Sequence, residues 1–429
     1  MKLLGLLFIY CLVLFPVSGL AADDGYGYPI AGGYEATILG TPASLTPKLP
    51  VGLIIRPLEL EVIPDRAKPP IFFYDEGLRC SFVAQPKKAP LIFLIAGSGS
   101  SDTASKLVTM MKAFYQAGFH VITLPSATNA NFIISASRSR VPGEVTEDAE
   151  DIYRVMESAW NEVKGEIEVS DFNLCGYSMG GTQSAFVARL DEERKVFNFR
   201  KVLMINPAVS LYSSAIRFEE LLKNIPGGAK KEGVFFNRML AKFSKHYRYG
   251  NFIAINDDFI YSIYEEGVFT TEEKAGLIGL AYRINQAGMI FASDVMTGGG
   301  YVVPKNRVLK KTDSLFDYFL VSTHLSFFDY FNEYFYPYFE FKRPGLTREE
   351  LIAAQSLKSI EAYLNSSLKI GVMTNENDFI LTADELVYLK ELFGARAKIY
   401  PRGGHLGNLA FKDNLAYMVG FFAPEGSKP

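Results

Sequence analysis

At 429 residues the chain exceeds the usual span of one domain, about 100–200 residues, so two domains or one enlarged domain with an insertion are expected. With 48% hydrophobic residues, 21% charged residues and a net charge of -3, the composition is that of a globular protein. It offers no basic run or arginine-rich segment to match phosphates, which argues against a nucleic-acid partner.

The first residues, MKLLGLLFIYCLVLFPVSGLAADD, join the single positive charge of Lys2 to an apolar run over 3–17, and Gly19-Leu20-Ala21 supplies small residues at the cleavage positions. This pattern predicts a secretory signal peptide over 1–22 and an exported, periplasmic or secreted product. The alternative is an uncleaved N-terminal membrane anchor, because the apolar run approaches the ~18 residues that span a bilayer. Cys11 lies inside the apolar run and not after small residues, so lipoprotein processing is not expected. Export permits disulfides. Cys175, however, falls in a predicted buried strand, where a free cysteine acts as a small hydrophobe, and no bridge to Cys80 is expected.

Residues 23–69 form an N-terminal extension. Its first part, 23–50, is rich in Gly, Pro, Tyr and Thr and reads as an exposed lead-in with little regular structure. Strand-like runs follow at 58–63, 71–74 and 78–84, with Asp75-Glu76-Gly77 as a turn between the last two. The run 90–96 is almost wholly apolar, which suits a parallel strand buried on both faces. Leu107, Met110, Met111 and Phe114 share a helical face that stops at Gly118, and a strand follows at 120–124. Thr146 can cap a helix with the stripe Ala149, Ile152, Tyr153, Met156 and Val163. Strands are then expected at 172–175 and 201–205.

No comparable buried strand recurs until 368–373, and a structureless loop of that length is implausible. Residues 213–346 are therefore expected to form an inserted, mainly helical cap. Thr347 and Glu350 make a capping box for a helix running through Leu351, Leu357, Ile360 and Leu364. Thr382 and Glu385 open another that ends near Gly394, followed by a strand at 397–400 and a helix at 414–422. The alternation predicts an α/β fold: a mostly parallel, doubly wound sheet built from residues 70–212 and 347–429, with helices on both faces.

The run Cys175-Gly176-Tyr177-Ser178-Met179-Gly180-Gly181 reads G-x-S-x-G between a strand and a helix. That is the context of a nucleophile elbow, in which a strained turn presents a serine hydroxyl at a helix N-terminus. A serine hydroxyl is a poor nucleophile at neutral pH unless a positioned imidazole takes its proton. Of the four histidines, His120 starts a buried strand, His246 lies in a basic segment of the cap and His324 sits among aromatics. His405 follows the last strand in Pro401-Arg402-Gly403-Gly404-His405-Leu406-Gly407, where flanking glycines let a loop bring the ring over the sheet edge. Asp378, after the strand at 368–373, is the expected partner that orients the imidazole, with Glu376 as its nearest rival. The oxyanion donors are expected to be the backbone N–H groups of Met179 and of Ser98 in the loop Gly97-Ser98-Gly99-Ser100-Ser101.

The order Ser178, Asp378, His405, each after a predicted strand, resembles the α/β-hydrolase superfamily over roughly residues 70–212 and 347–425. The elbow and the Gly403–Gly407 loop are similar to those of its lipase/esterase and serine-aminopeptidase-like branches. Ala96-Gly97 stands where many members carry His-Gly before the oxyanion residue. The resemblance implies a serine hydrolase acting on an ester, thioester or amide, and places the insertion where that superfamily carries its cap. No cofactor or metal is expected, since no Cys/His cluster has zinc spacing. An exported peptidase, a polymer-ester depolymerase and a catalytically silent binding protein are the alternatives.

Residues 313–343 are about half aromatic, interrupted by Asp317, Asp329, Asn332 and Glu333. Three readings follow: a pocket for a small-molecule or lipid-like ester closing over Ser178, a surface that docks on membrane lipid, or the core of the cap itself. Thr297-Gly298-Gly299-Gly300-Tyr301 has the composition of a lid hinge but reads as a plain loop.

Overall fold

The computed structural model describes residues 25–223, 234 and 270–423. The expected signal segment, His246 and part of the cap lie outside the described residues. Among those described, no helix is long and apolar enough to cross a membrane.

Eight strands form one sheet in the order β1-β2-β4-β3-β5-β6-β7-β8. They are β1 (Arg56–Leu60), β2 (Leu78–Val83), β3 (Ala89–Ile95), β4 (His120–Leu124), β5 (Val169–Tyr177), β6 (Lys201–Ile205), β7 (Ile370–Asn375) and β8 (Ala397–Tyr400). The β1–β2 and β2–β4 pairs are antiparallel and every other pair is parallel. Strand β3 is apolar throughout because both of its faces are covered. Leu91, Phe93 and Ile95 pack on one side of the sheet and Ile92 and Leu94 on the other, as the two-residue period of a strand requires.

The helices divide accordingly. The short helix α3 (Ala130–Ser135) follows β4, and on the first side lie α4 (Val145–Val163) and α5 (Met179–Arg194). On the other lies α2 (Ser105–Gln116), through Leu107, Met110, Met111 and Phe114. The final helix, Lys412–Phe422, joins it there through Leu415, Met418 and Phe422. Between β6 and β7 the cap contributes α6 (Leu211–Lys223), α7 (Thr271–Thr297) and α8 (Phe316–His324), then helical turns over 327–342. A buried pair, Arg283 on α7 with both carboxylate oxygens of Glu219 on α6, ties the first two together.

Several expectations are corrected. Residues 71–74 are not a strand: Pro70–Phe72 is a 3-10 turn, and Ile71 and Phe72 are apolar because they pack under the cap with Ile290, Phe291 and Phe339. Strand β1 ends at Leu60, short of the expected residue 63. Glu144, not Thr146, caps α4, its carboxylate accepting from the Glu147 N–H at 2.8 Å. The helix opened by Thr347 breaks after Ala354, because Gln355 and Ser356 turn their hydrogen bonds to Val145, Val209 and Leu211. The Gly298–Gly300 loop is pinned by Asp294, whose carboxylate accepts from the N–H groups of Tyr301, Val302 and Val303.

The largest correction concerns the lead-in. It contains a helix, α1 (Gly33–Leu39), and Tyr28 is fully buried against Phe411. Its chemistry favours clasping over exposure: Tyr26 shares hydrogen bonds with Asn408 and Asn414, and the Tyr28 carbonyl accepts from Arg402 Nε at 2.7 Å.

His120 is a structural histidine. Its Nδ1 accepts from the Gln85 N–H at 3.0 Å, so the neutral ring carries its proton on Nε2, facing the Glu168 carbonyl at 3.1 Å. Burial lowers its pKa from the usual imidazole value, opposed by the bond to Glu168. A depressed value means stability that is complete above the unfolded pKa of ~6.5 and is lost as pH falls through the folded one. Urea unfolding between pH 7.5 and 5 is expected to show this loss, at no more than about 1.4 kcal/mol per pH unit. His120→Asn, which cannot titrate there, is expected to lack that component.

Candidate active site

At the end of β5 the chain turns sharply into α5. Ser178 sits at the corner with φ 55° and ψ −128°, a conformation an L-residue rarely adopts. The turn needs bare backbone next to it: a Cβ on Gly180 would lie 2.3 Å from the Ala96 carbonyl oxygen. The strain aims the Ser178 hydroxyl away from the sheet and towards the loop after β8.

That loop holds His405, whose Nε2 lies 2.9 Å from Ser178 Oγ. Its Nδ1 is 3.1 Å and 3.2 Å from the two carboxylate oxygens of Asp378. A carboxylate only accepts, so the proton sits on Nδ1 and Nε2 is left free to accept from the serine. The ring is held edge-on by Phe218 and Phe379, each 5.9 Å away between centroids. Asp378 follows β7 and is buried; its Oδ1 accepts from the Ile380 N–H at 3.2 Å.

Five expected residues thus fall around one point. Ser178, His405 and Asp378 form a continuous chain of hydrogen bonds. Ser98 and Met179 line the same cleft, and neither backbone N–H meets an acceptor among the described residues. Glu376 is instead exposed and paired with Lys390 at 3.2 Å. His324 is exposed at the end of α8. Cys80 and Cys175 are free and buried. Among the described residues, no group of three or more His, Cys, Asp or Glu side chains is placed to hold a metal ion.

This is the α/β-hydrolase fold. The strand order, the elbow between β5 and α5, the acid after β7 and the histidine after β8 all belong to it. No family model and no curated protein matches the sequence. Solved structures similar to this chain include an esterase of Pyrococcus furiosus, at 9% identity and a TM-score of 0.42 over 88% of this chain and 96% of that one. Est1E from Butyrivibrio proteoclasticus is similar at 12% identity and a TM-score of 0.35 over 81% and 97%. The acylaminoacyl peptidase of Pyrococcus horikoshii is similar at 10% identity and a TM-score of 0.42, over 89% of this chain and 43% of that one.

Two supports of the site escape the sequence pattern. Asn206, at the end of β6, donates from Nδ2 to Asp378 Oδ2 at 2.7 Å. It adopts φ 45°, and the only local sign of this is the turn dipeptide Asn206-Pro207. Thr37 on α1 accepts from the His405 N–H at 2.8 Å and donates to the Gly33 carbonyl at 2.8 Å. The lead-in also touches the loop so closely that a Cβ on Gly404 would lie 2.0 Å from the Gly33 oxygen. Thr37→Val keeps the shape and removes the acceptor. It is expected to lower kcat several-fold, the effect of about 1 kcal/mol in one hydrogen bond. Thr37→Ser is expected to restore the rate, which a purely packing role would not predict.

A cleft open to solvent lies beside Ser178. The aromatic stretch of the cap contributes both to the core of the cap and to the wall of this cleft. Tyr330, Phe331 and Phe335 are buried in the core cluster of the cap and also line this cleft.

Proposed function

We propose that this chain is a serine hydrolase that cleaves a carboxylic ester through an acyl-enzyme, with thioesters and amides as chemically related substrates. The observation that carries the reading is the 2.9 Å contact between Ser178 Oγ and His405 Nε2. Ser178 attacks the carbonyl carbon as His405 takes its proton. Asp378 holds the ring in the required tautomer and stabilises the imidazolium. The N–H groups of Met179 and Ser98 receive the negative charge that develops on the carbonyl oxygen. His405 then passes the proton to the leaving oxygen. Water, deprotonated by the same ring, releases the acid.

The 2.9 Å contact favours this reading over a silent binding protein, because a half-buried serine in a cleft, backed by a buried imidazole–carboxylate pair, is the arrangement that activates a hydroxyl and is not needed for binding alone. Labelling by a fluorophosphonate probe tests it. Wild type should react and Ser178→Ala should not; unlabelled but folded wild type would favour the binding protein. Export through the N-terminal apolar segment belongs to the same proposal. It is tested by N-terminal sequencing of the mature protein, which should begin near residue 23.

A further inference from the structure

The space around Ser178 falls into two adjoining chambers that differ in character. The first is the cleft walled by Leu211, Met289, Phe331 and Phe335, and its described lining residues include no charged side chain. The second is smaller and mixed: Thr37, Ser100, Lys106 and His405 line it together with Phe218, Ile278 and Leu406. Ser98 and Ser178 line both, so a carbonyl attacked by Ser178 sits at their junction. A chamber whose exposed wall is mainly apolar suits a hydrocarbon chain, and a smaller one that adds a lysine and hydroxyl groups to its apolar wall suits a group that can form hydrogen bonds.

The position of the acid decides which half of an ester each chamber takes. His405 lines the second chamber and not the first. Its Nε2 must deliver the proton taken from Ser178 to the leaving oxygen, so the alcohol lies on the His405 side. The acyl substituent, on the opposite side of the carbonyl carbon, is then directed into the aromatic chamber. We infer that the substrate is an ester of a long apolar acid with a compact, hydrogen-bonding alcohol; this rests on the serine-hydrolase reading. The bond from Ser178 Oγ to the carbonyl carbon forms as the carbon–alcohol oxygen bond breaks. The serine proton leaves with the alcohol. Water then supplies the hydroxyl of the released acid and returns a proton to Ser178.

Two isomeric esters separate the chambers without any mutation. Methyl decanoate places nine carbons beyond the carbonyl on the acyl side, and nonyl acetate places the same number on the alcohol side. Wild type is expected to favour methyl decanoate in kcat/KM by at least about thirtyfold, within the range that pocket contacts to methylene groups give. Ala215 is buried in the wall of the first chamber. Ala215→Phe is expected to lower the ratio of methyl decanoate to methyl acetate turnover about tenfold. Equal or reversed preference between the isomers would overturn the partition. So would fluorophosphonate labelling of Ser178 with no turnover of either ester. Absence of both labelling and turnover would remove the hydrolase reading, and this proposal with it.

Discussion

Replacing His405 by alanine is expected to lower kcat about 10⁴- to 10⁶-fold, and adding Ser178→Ala to that variant is expected to cost little more. The reason is that the two side chains perform one event. Ser178 Oγ can lose its proton only to Nε2, 2.9 Å away, and the ring is useful only when the serine is there to give it. Rate constants for the two single variants and the double variant, on a chromogenic ester, form the test. Multiplicative losses would mean that the residues act separately. Residual activity above background is expected in all three, because the N–H groups of Met179 and Ser98 remain.

Asp378→Asn is expected to lower kcat about 10⁴-fold, far more than its cost of about 1–3 kcal/mol in stability from unsatisfied buried donors would explain. The surroundings of Asp378 explain why an isosteric change would be so costly. Asn206 Nδ2 donates to Oδ2 and the Ile380 N–H donates to Oδ1, while His405 Nδ1 faces both oxygens. An amide at this position has one acceptor and must satisfy three donors. Its NH₂ group turned towards His405 would hold the ring with the proton on Nε2, the wrong tautomer to accept from Ser178. Turned towards Asn206, it would set two NH₂ groups against each other. A large fall in kcat in a variant that stays folded at the assay temperature supports this role. A fall of less than tenfold would mean that His405 does not need Asp378 for orientation.

What the sequence made legible follows from the range of the forces involved. Burial on both faces writes itself into β3 as an unbroken apolar run, and the elbow writes itself as glycines around a serine, because both constraints are local. Asp378 and His405 could be placed near Ser178 because each lies just past a strand, at the edge of the sheet where the strands end. Long-range contacts leave weaker marks. Nothing near Thr37 signals that it meets His405, which is 368 residues away. Turn-forming residues made the lead-in look exposed, although Tyr26 and Tyr28 are buried against Phe411, just before the final helix. Ile71 and Phe72 resembled a strand because apolar runs do not state what buries them. The broken helix after Thr347 kept its apolar period while its backbone partners lay on the segment after β6.

Mass spectrometry of a rapidly quenched ester reaction tests the central claim most directly. The account predicts a transient acyl adduct, one per chain, mapping to Ser178 in wild type and absent from Ser178→Ala. Turnover of the ester by Ser178→Ala at the wild-type rate, or an adduct that maps to any other residue, would contradict it.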